Sequence, residues 1–120
     1  MNYPWIDDYC LSKKGAIKEF KAEWDAFRFM VGDKMFGMIC EDKKGTKLFT
    51  LKCDPAFGEA LRAEFGDITP GYYMNKLHWN SLHLEGVVPD EILKQMIDNS
   101  CDLVFKSLTK KMQNEITEND

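Results

Sequence analysis

The sequence contains no apolar run near the roughly 20 residues needed to span a bilayer, and Asp7 and Asp8 interrupt the stretch a signal peptide would keep apolar. That excludes a membrane partner and reads as a cytoplasmic protein. Histidine is scarce, with two in 120 residues, and the four cysteines (Cys10, Cys40, Cys53, Cys101) stand far apart. No Cys-x-x-Cys pair and no Cys/His spacing of a zinc site occurs, so the cysteines read as small buried hydrophobes rather than ligands or disulfides. Also missing are a Gly-x-Ser-x-Gly elbow, a phosphate-cradling glycine loop and a His-Glu-x-x-His pair, which leaves no catalytic residue and no cofactor to assign. Repeats and low-complexity tracts are absent too.

Net positive charge is likewise lacking. The formal charge is −4, whereas nucleic-acid-binding domains are usually basic. The distribution is uneven, however. Lys34, Lys43, Lys44, Lys47 and Lys52 outnumber Glu41 and Asp42 in one stretch, while the tail after Gln113 carries Glu115, Glu118 and Asp120. A local basic patch is therefore compatible with an acidic chain.

What is present suits one folded domain, residues 1–120, with an acidic tail frayed from about 114. Hydrophobic residues make up 44% and charged residues 30%, the balance of an ordinary globular protein. Asn2, Pro4 and the spacing of Trp5, Ile6, Tyr9 and Cys10 predict a short first helix ending near Gly15. Phe27, Phe29 and Val31 alternate as a strand, and residues 16–25 read as strand or helix. Gly32-Asp33 turns the chain into a strand over 34–41, where Gly37 marks a bulge or a close backbone approach. A loop over 42–46 leads to a strand over 47–53. Asp54-Pro55 starts a helix that presents Phe57, Leu61 and Phe65 on one face. After the Pro70-Gly71 turn, residues 77–85 alternate as a strand, and Pro89 opens a last helix to about Lys111. The expected class is α+β: an antiparallel sheet flanked by N- and C-terminal helices, with one inserted helix.

The most distinctive segment is Gly71-Tyr72-Tyr73-Met74-Asn75-Lys76-Leu77-His78-Trp79. Together with Gly32-Asp33-Lys34-Met35-Phe36-Gly37, with Leu51-Lys52-Cys53-Asp54-Pro55 and with Ser100-Cys101-Asp102-Leu103-Val104, it resembles the MmcQ/YjbR family of small bacterial proteins. The resemblance runs over roughly residues 1–110. It implies a fold like that of the bacterial frataxin CyaY and a biochemical role that is poorly defined, DNA binding through a "double wing" surface being the role proposed for the family. The chain departs from the family pattern at Tyr73, often His, and at Leu77, often basic; both changes remove cations from that segment.

On the DNA-binding reading, Lys34, Lys43, Lys44, Lys47 and Lys76 meet phosphates, Asn75 reaches a base edge, and Tyr72, Tyr73 or Trp79 stacks a base, with His78 beside them. The competing reading makes the lysines a solvated hairpin and the segment a fold signature, with Trp79 packed under a helix and Asn75 and Lys76 tying the preceding turn to backbone. A protein-interaction module is the alternative function, the chain being a monomer. Weak metal binding by analogy with frataxin is less favoured: the acidic ridge of Asp7, Asp8, Glu19, Glu23 and Asp25 is diluted by lysines. His78 and His83, on one strand, would face opposite sides.

Overall fold

A computed structural model describes residues 2–71 and 74–118. In chain order its elements are α1 (Ile6–Leu11), β1 (Ala16–Lys21), a 3-10 turn (Ala22–Trp24), β2 (Ala26–Val31), β3 (Lys34–Glu41), β4 (Lys47–Lys52), α2 (Pro55–Glu64), β5 (Ile68–Pro70), β6 (Trp79–His83), α3 (Asp90–Ser107) and α4 (Lys110–Glu118). The six strands form one sheet in the order β1-β2-β3-β4-β6-β5, with every neighbouring pair antiparallel. The class is α+β, as the hydrophobic patterning implies.

Local chemistry sets the joints. Gly32, at φ +61°, opens the two-residue loop between β2 and β3, a position that favours glycine. At Gly37 both readings of the glycine hold. The β2–β3 register shifts between Phe29 and Met30, and a Cβ on Gly37 would come within 2.8 Å of the Phe49 ring. Phe36, beside this shift, is fully buried near Phe29 and shares its core cluster. Asp54 caps α2 by accepting from the Phe57 N–H at 3.4 Å, and Pro55 follows at the first helical position.

One face of the sheet carries the main core. Phe29, Phe49, Leu51 and Leu82 pack there with Ile6, Leu61, Leu93, Met96, Ile97 and Val104 from the helices. Ser100 bolts α3 down: its buried hydroxyl accepts from the Lys52 N–H at 2.9 Å and donates to the Phe36 carbonyl. Among the described residues no helix packs on the opposite face. It is nonetheless buried around Thr50 and Ser81, whose hydroxyls hydrogen-bond at 2.7 Å across β4 and β6.

Four expectations change. Residues 16–21 are strand, and the ambiguity over 22–24 arises from the 3-10 turn. The short strand β5 went unforeseen, because three residues ending in proline give no alternation to read. The strand over 77–85 shrinks to Trp79–His83, which moves His78 into the preceding turn and off the strand shared with His83. Finally, the last helix breaks at Leu108-Thr109, and residues 114–118 continue as part of α4 rather than as a frayed tail. Ile116 of α4 packs against the core, and the Lys14 ammonium donates to the Thr117 carbonyl, which together hold that end.

Candidate functional site

The lysines and the aromatic segment read from the sequence do not meet in one place. Lys34 begins β3, and Lys43 and Lys44 lie in the turn after it, with Lys47 opening β4. At ~3.3 Å per residue the two ends of β3 are roughly 23 Å apart. Register puts Trp79 opposite Lys52, so Lys76, His78 and Trp79 stand at the Lys34 end. Lys34 itself reaches the last turn of α3, donating to the Ser107 carbonyl at 3.1 Å.

Asn75 and Lys76 are occupied with backbone. The Asn75 side-chain oxygen accepts from the Leu77 N–H at 2.8 Å, and the Lys76 ammonium donates to the Gly71 carbonyl at 2.9 Å. The His78 carbonyl accepts from the Cys53 N–H, and the Gly71 N–H donates to the Trp79 carbonyl at 2.7 Å. Tyr72 and Tyr73 lie outside the described residues. Trp79 does not pack under a helix. Along β6 the alternation sends Asn80 and Leu82 toward the helices, and Trp79, Ser81 and His83 to the other face. Beneath α2, Asn80 accepts from the Arg62 guanidinium and lies against Cys53, whose thiol burial pushes up to about 11.

The described residues instead concentrate exposed apolar surface on the β1–β2 hairpin. Seven large hydrophobic side chains are exposed, and Ile17, Phe20, Trp24 and Phe27 are four of them. Phe20 and Phe27, in register across the hairpin, put their ring centroids 5.1 Å apart. Sequence reasoning missed this group because alternation such as that of Phe27 and Phe29 looks the same whether a strand is covered or not. The cations woven into the hairpin are all paired. Lys18 meets Asp7 at 2.7 Å, Lys21 meets Glu23 at 3.0 Å, and Arg28 meets Glu19. Three of these cations also lie over aromatic rings: Lys18 over Phe27, and Lys21 and Arg28 over Trp24.

Two concavities adjoin Trp24. One of about 450 Å³ is lined by Glu23, Trp24, Met38, Cys40 and Met74, which places Met74 on the helix-free face. The other, a groove of about 620 Å³, brings Phe20, Trp24 and Phe27 together with Asp25, Glu41, Asp42 and Lys47. Its charged lining is acidic on balance. The Asp42 carboxyl is held below its ordinary range by the Thr46 N–H first, with the Lys44 N–H adding to it, so it stays ionised. Among the described residues no group of three or more His, Cys, Asp or Glu side chains is placed to hold a metal ion, and no helix is long and apolar enough to cross a membrane. The four cysteines are free thiols, all buried.

Comparison with known proteins accords with this architecture. The family model named YjbR matches residues 11–103. Escherichia coli (strain K12) has a protein named "uncharacterized protein YjbR" that is 32% identical over 92 residues, covering 77% of each chain. Among solved structures, Deinococcus radiodurans DR2400, described with a DUF419 domain, superimposes with a TM-score of 0.81 at 30% identity, over 93% of this chain and 85% of that one. A Pseudomonas syringae protein does so with a TM-score of 0.71 at 25% identity, over 86% and 98%. With the family model covering most of its length, and relatives of like size sharing sequence and fold, the chain belongs to the YjbR family.

Proposed function

We propose that the chain is a non-enzymatic binding module, working as a cytoplasmic monomer, that engages a protein segment through the β1–β2 hairpin. The observation that carries this reading is a contrast within one element. Four exposed apolar side chains share the hairpin with cations that are each already paired to a carboxylate. A surface meant for phosphates would leave its cations available. One meant for a protein presents aromatic anchors and neutralises its charge.

Nucleic acid is the second reading, and one observation favours it. Lys44 and Lys47 are exposed at the same end of the sheet as Trp24, and Lys47 shares a groove with three aromatic rings. The carboxylates of Asp25, Glu41 and Asp42 in that groove weigh against a polyanion.

A peptide-display selection on the immobilised protein tests the first reading, counter-screened with the Phe20→Ser/Trp24→Ser variant. Peptides rich in apolar residues that enrich on the natural chain and not on the variant support it. Equal enrichment on both, or none on either, overturns it.

A further inference from the structure

The cavity beside Trp24 has an unusual lining for a sheet face. The small buried cluster there consists of Ala26, Met38 and Cys40 with Met35 packed against it, and contains no branched aliphatic residue. Strand surfaces ordinarily draw on valine, isoleucine and aromatics. Here three of the chain's seven methionines (Met35, Met38 and Met74) gather with a cysteine on the face that no helix covers. Met38 and Cys40 are two apart on β3 and so point the same way, while Met74 approaches from the segment after Gly71. Cys40 is 7% exposed and lines an open cavity, unlike Cys10 and Cys53, which are wholly enclosed.

Thioether donors select soft cations such as Cu(I), whereas a zinc site takes four thiolate, imidazole or carboxylate ligands and Ca or Mg sites take oxygens; this cavity offers one thiol, two thioethers and the single carboxylate of Glu23. Thioethers also serve as adaptable gap-fillers, but a filled gap would leave no open volume of about 450 Å³ among them. Glu23 and Trp24 also line the cavity, but Glu23 is paired with Lys21 and the Trp24 ring already faces Lys21 and Arg28, which leaves the three sulfurs as the donors.

We propose that Cys40, Met38 and Met74 form a soft-metal site that takes one monovalent ion, Cu(I) or Ag(I). On binding, the Cys40 Sγ–H bond breaks and its proton leaves to solvent. The electron pair left on sulfur forms the metal–thiolate bond, and each thioether donates a lone pair. The metal keeps its +1 state, so neither oxidant nor reductant is consumed. This inference stands apart from the protein-binding reading in its ligands: the cavity borders the hairpin at Trp24, but Cys40, Met38 and Met74 are not among the hairpin's exposed apolar side chains.

Anaerobic titration of the full chain with Cu(I) against a chromophoric chelator tests it. The expected result is one ion per chain, loss of binding in Cys40→Ser, and at least a tenfold weaker affinity in Met38→Leu/Met74→Leu, a nearly volume-conserving change. Cys101→Ser, removing a thiol of similar exposure at 9%, should leave binding unchanged. Near-ultraviolet circular dichroism establishes that each variant is folded. Failure of the natural chain to compete with the chelator overturns the proposal, as does a double methionine variant that binds like the natural chain.

Discussion

Arg28 on β2 stands in register with Glu19 on β1, forms an ion pair with it, and holds its guanidinium 5.3 Å from the centroid of the Trp24 ring. This one relationship links the charge and the aromatic surface of the hairpin. This cation is committed to a carboxylate and to an indole, not left for a phosphate.

Removing the hairpin's apolar groups should therefore cost binding rather than folding. Trp24 is 49% exposed and Phe20 53%, and exposed positions usually shift stability by about 0.5 kcal/mol or less. Trp24→Ala should leave the midpoint of urea unfolding nearly unchanged while weakening a selected peptide at least tenfold, since aromatic anchors dominate interfaces. Binding affinity and urea denaturation of the same preparation check this.

Ser100 makes the opposite prediction. Its hydroxyl satisfies the Lys52 N–H and the Phe36 carbonyl from a fully buried position. Ser100→Ala leaves two backbone groups without that partner and should cost about 1–3 kcal/mol for each group left buried and unsatisfied. Chemical denaturation measures it, and an unchanged midpoint would show that the hydroxyl does not anchor α3.

Gly37 is a steric test. A Cβ there would lie 2.8 Å from one Phe49 ring carbon and 3.2 Å from a Leu51 methyl carbon, both in the core. Gly37→Ala should destabilise by about 1–3 kcal/mol through overpacking, and Gly37→Ala/Phe49→Leu should recover part of that loss. Thermal melts of the pair decide it.

The buried thiols give a pH dependence whose sign follows from their shifts. Burial pushes Cys10 up to about 12 and Cys53 up to about 11, from an ordinary value of 9.0. The folded chain then holds thiol protons that the unfolded chain releases. Their contribution to stability is whole below pH 9 and is lost as pH climbs through 11 and 12. Unfolding free energy measured across that window should fall, and Cys53→Ala should flatten the part of the fall that Cys53 causes. In native protein at pH 8, labelling of Cys10 and Cys53 should proceed only as fast as unfolding exposes them.

Sequence made the fold legible wherever a local signal was strong. Asp54-Pro55 announced α2, Gly32-Asp33 fixed the β2–β3 turn, and the three- and four-residue spacing from Leu93 to Val104 gave α3 its buried face. It failed where structure depends on distant partners. Nothing local distinguishes a helix that breaks at Leu108 from one that runs on, and β5 exists through its pairing with β6. Alternation placed Trp79 and His78 on a strand but could not say which face the helices would cover. The candidate site was least legible. Asn75 and Lys76 admitted two readings from sequence, ligand contacts or ties to the turn's backbone, and the hydrogen bonds to Gly71 and Leu77 match the second. Ile17, Phe20, Trp24 and Phe27 were not singled out, because exposure leaves no mark on residue type.

The central claim is that the hairpin binds through apolar contact. Its most direct test is affinity measured at low and at physiological salt, by fluorescence anisotropy, for a peptide selected on the hairpin and for labelled single- and double-stranded DNA. The account predicts a peptide affinity nearly independent of salt and lost in Trp24→Ala, with no DNA binding at either salt. DNA binding that falls steeply with salt, and disappears in Lys44→Glu/Lys47→Glu while Trp24→Ala leaves it intact, would contradict it.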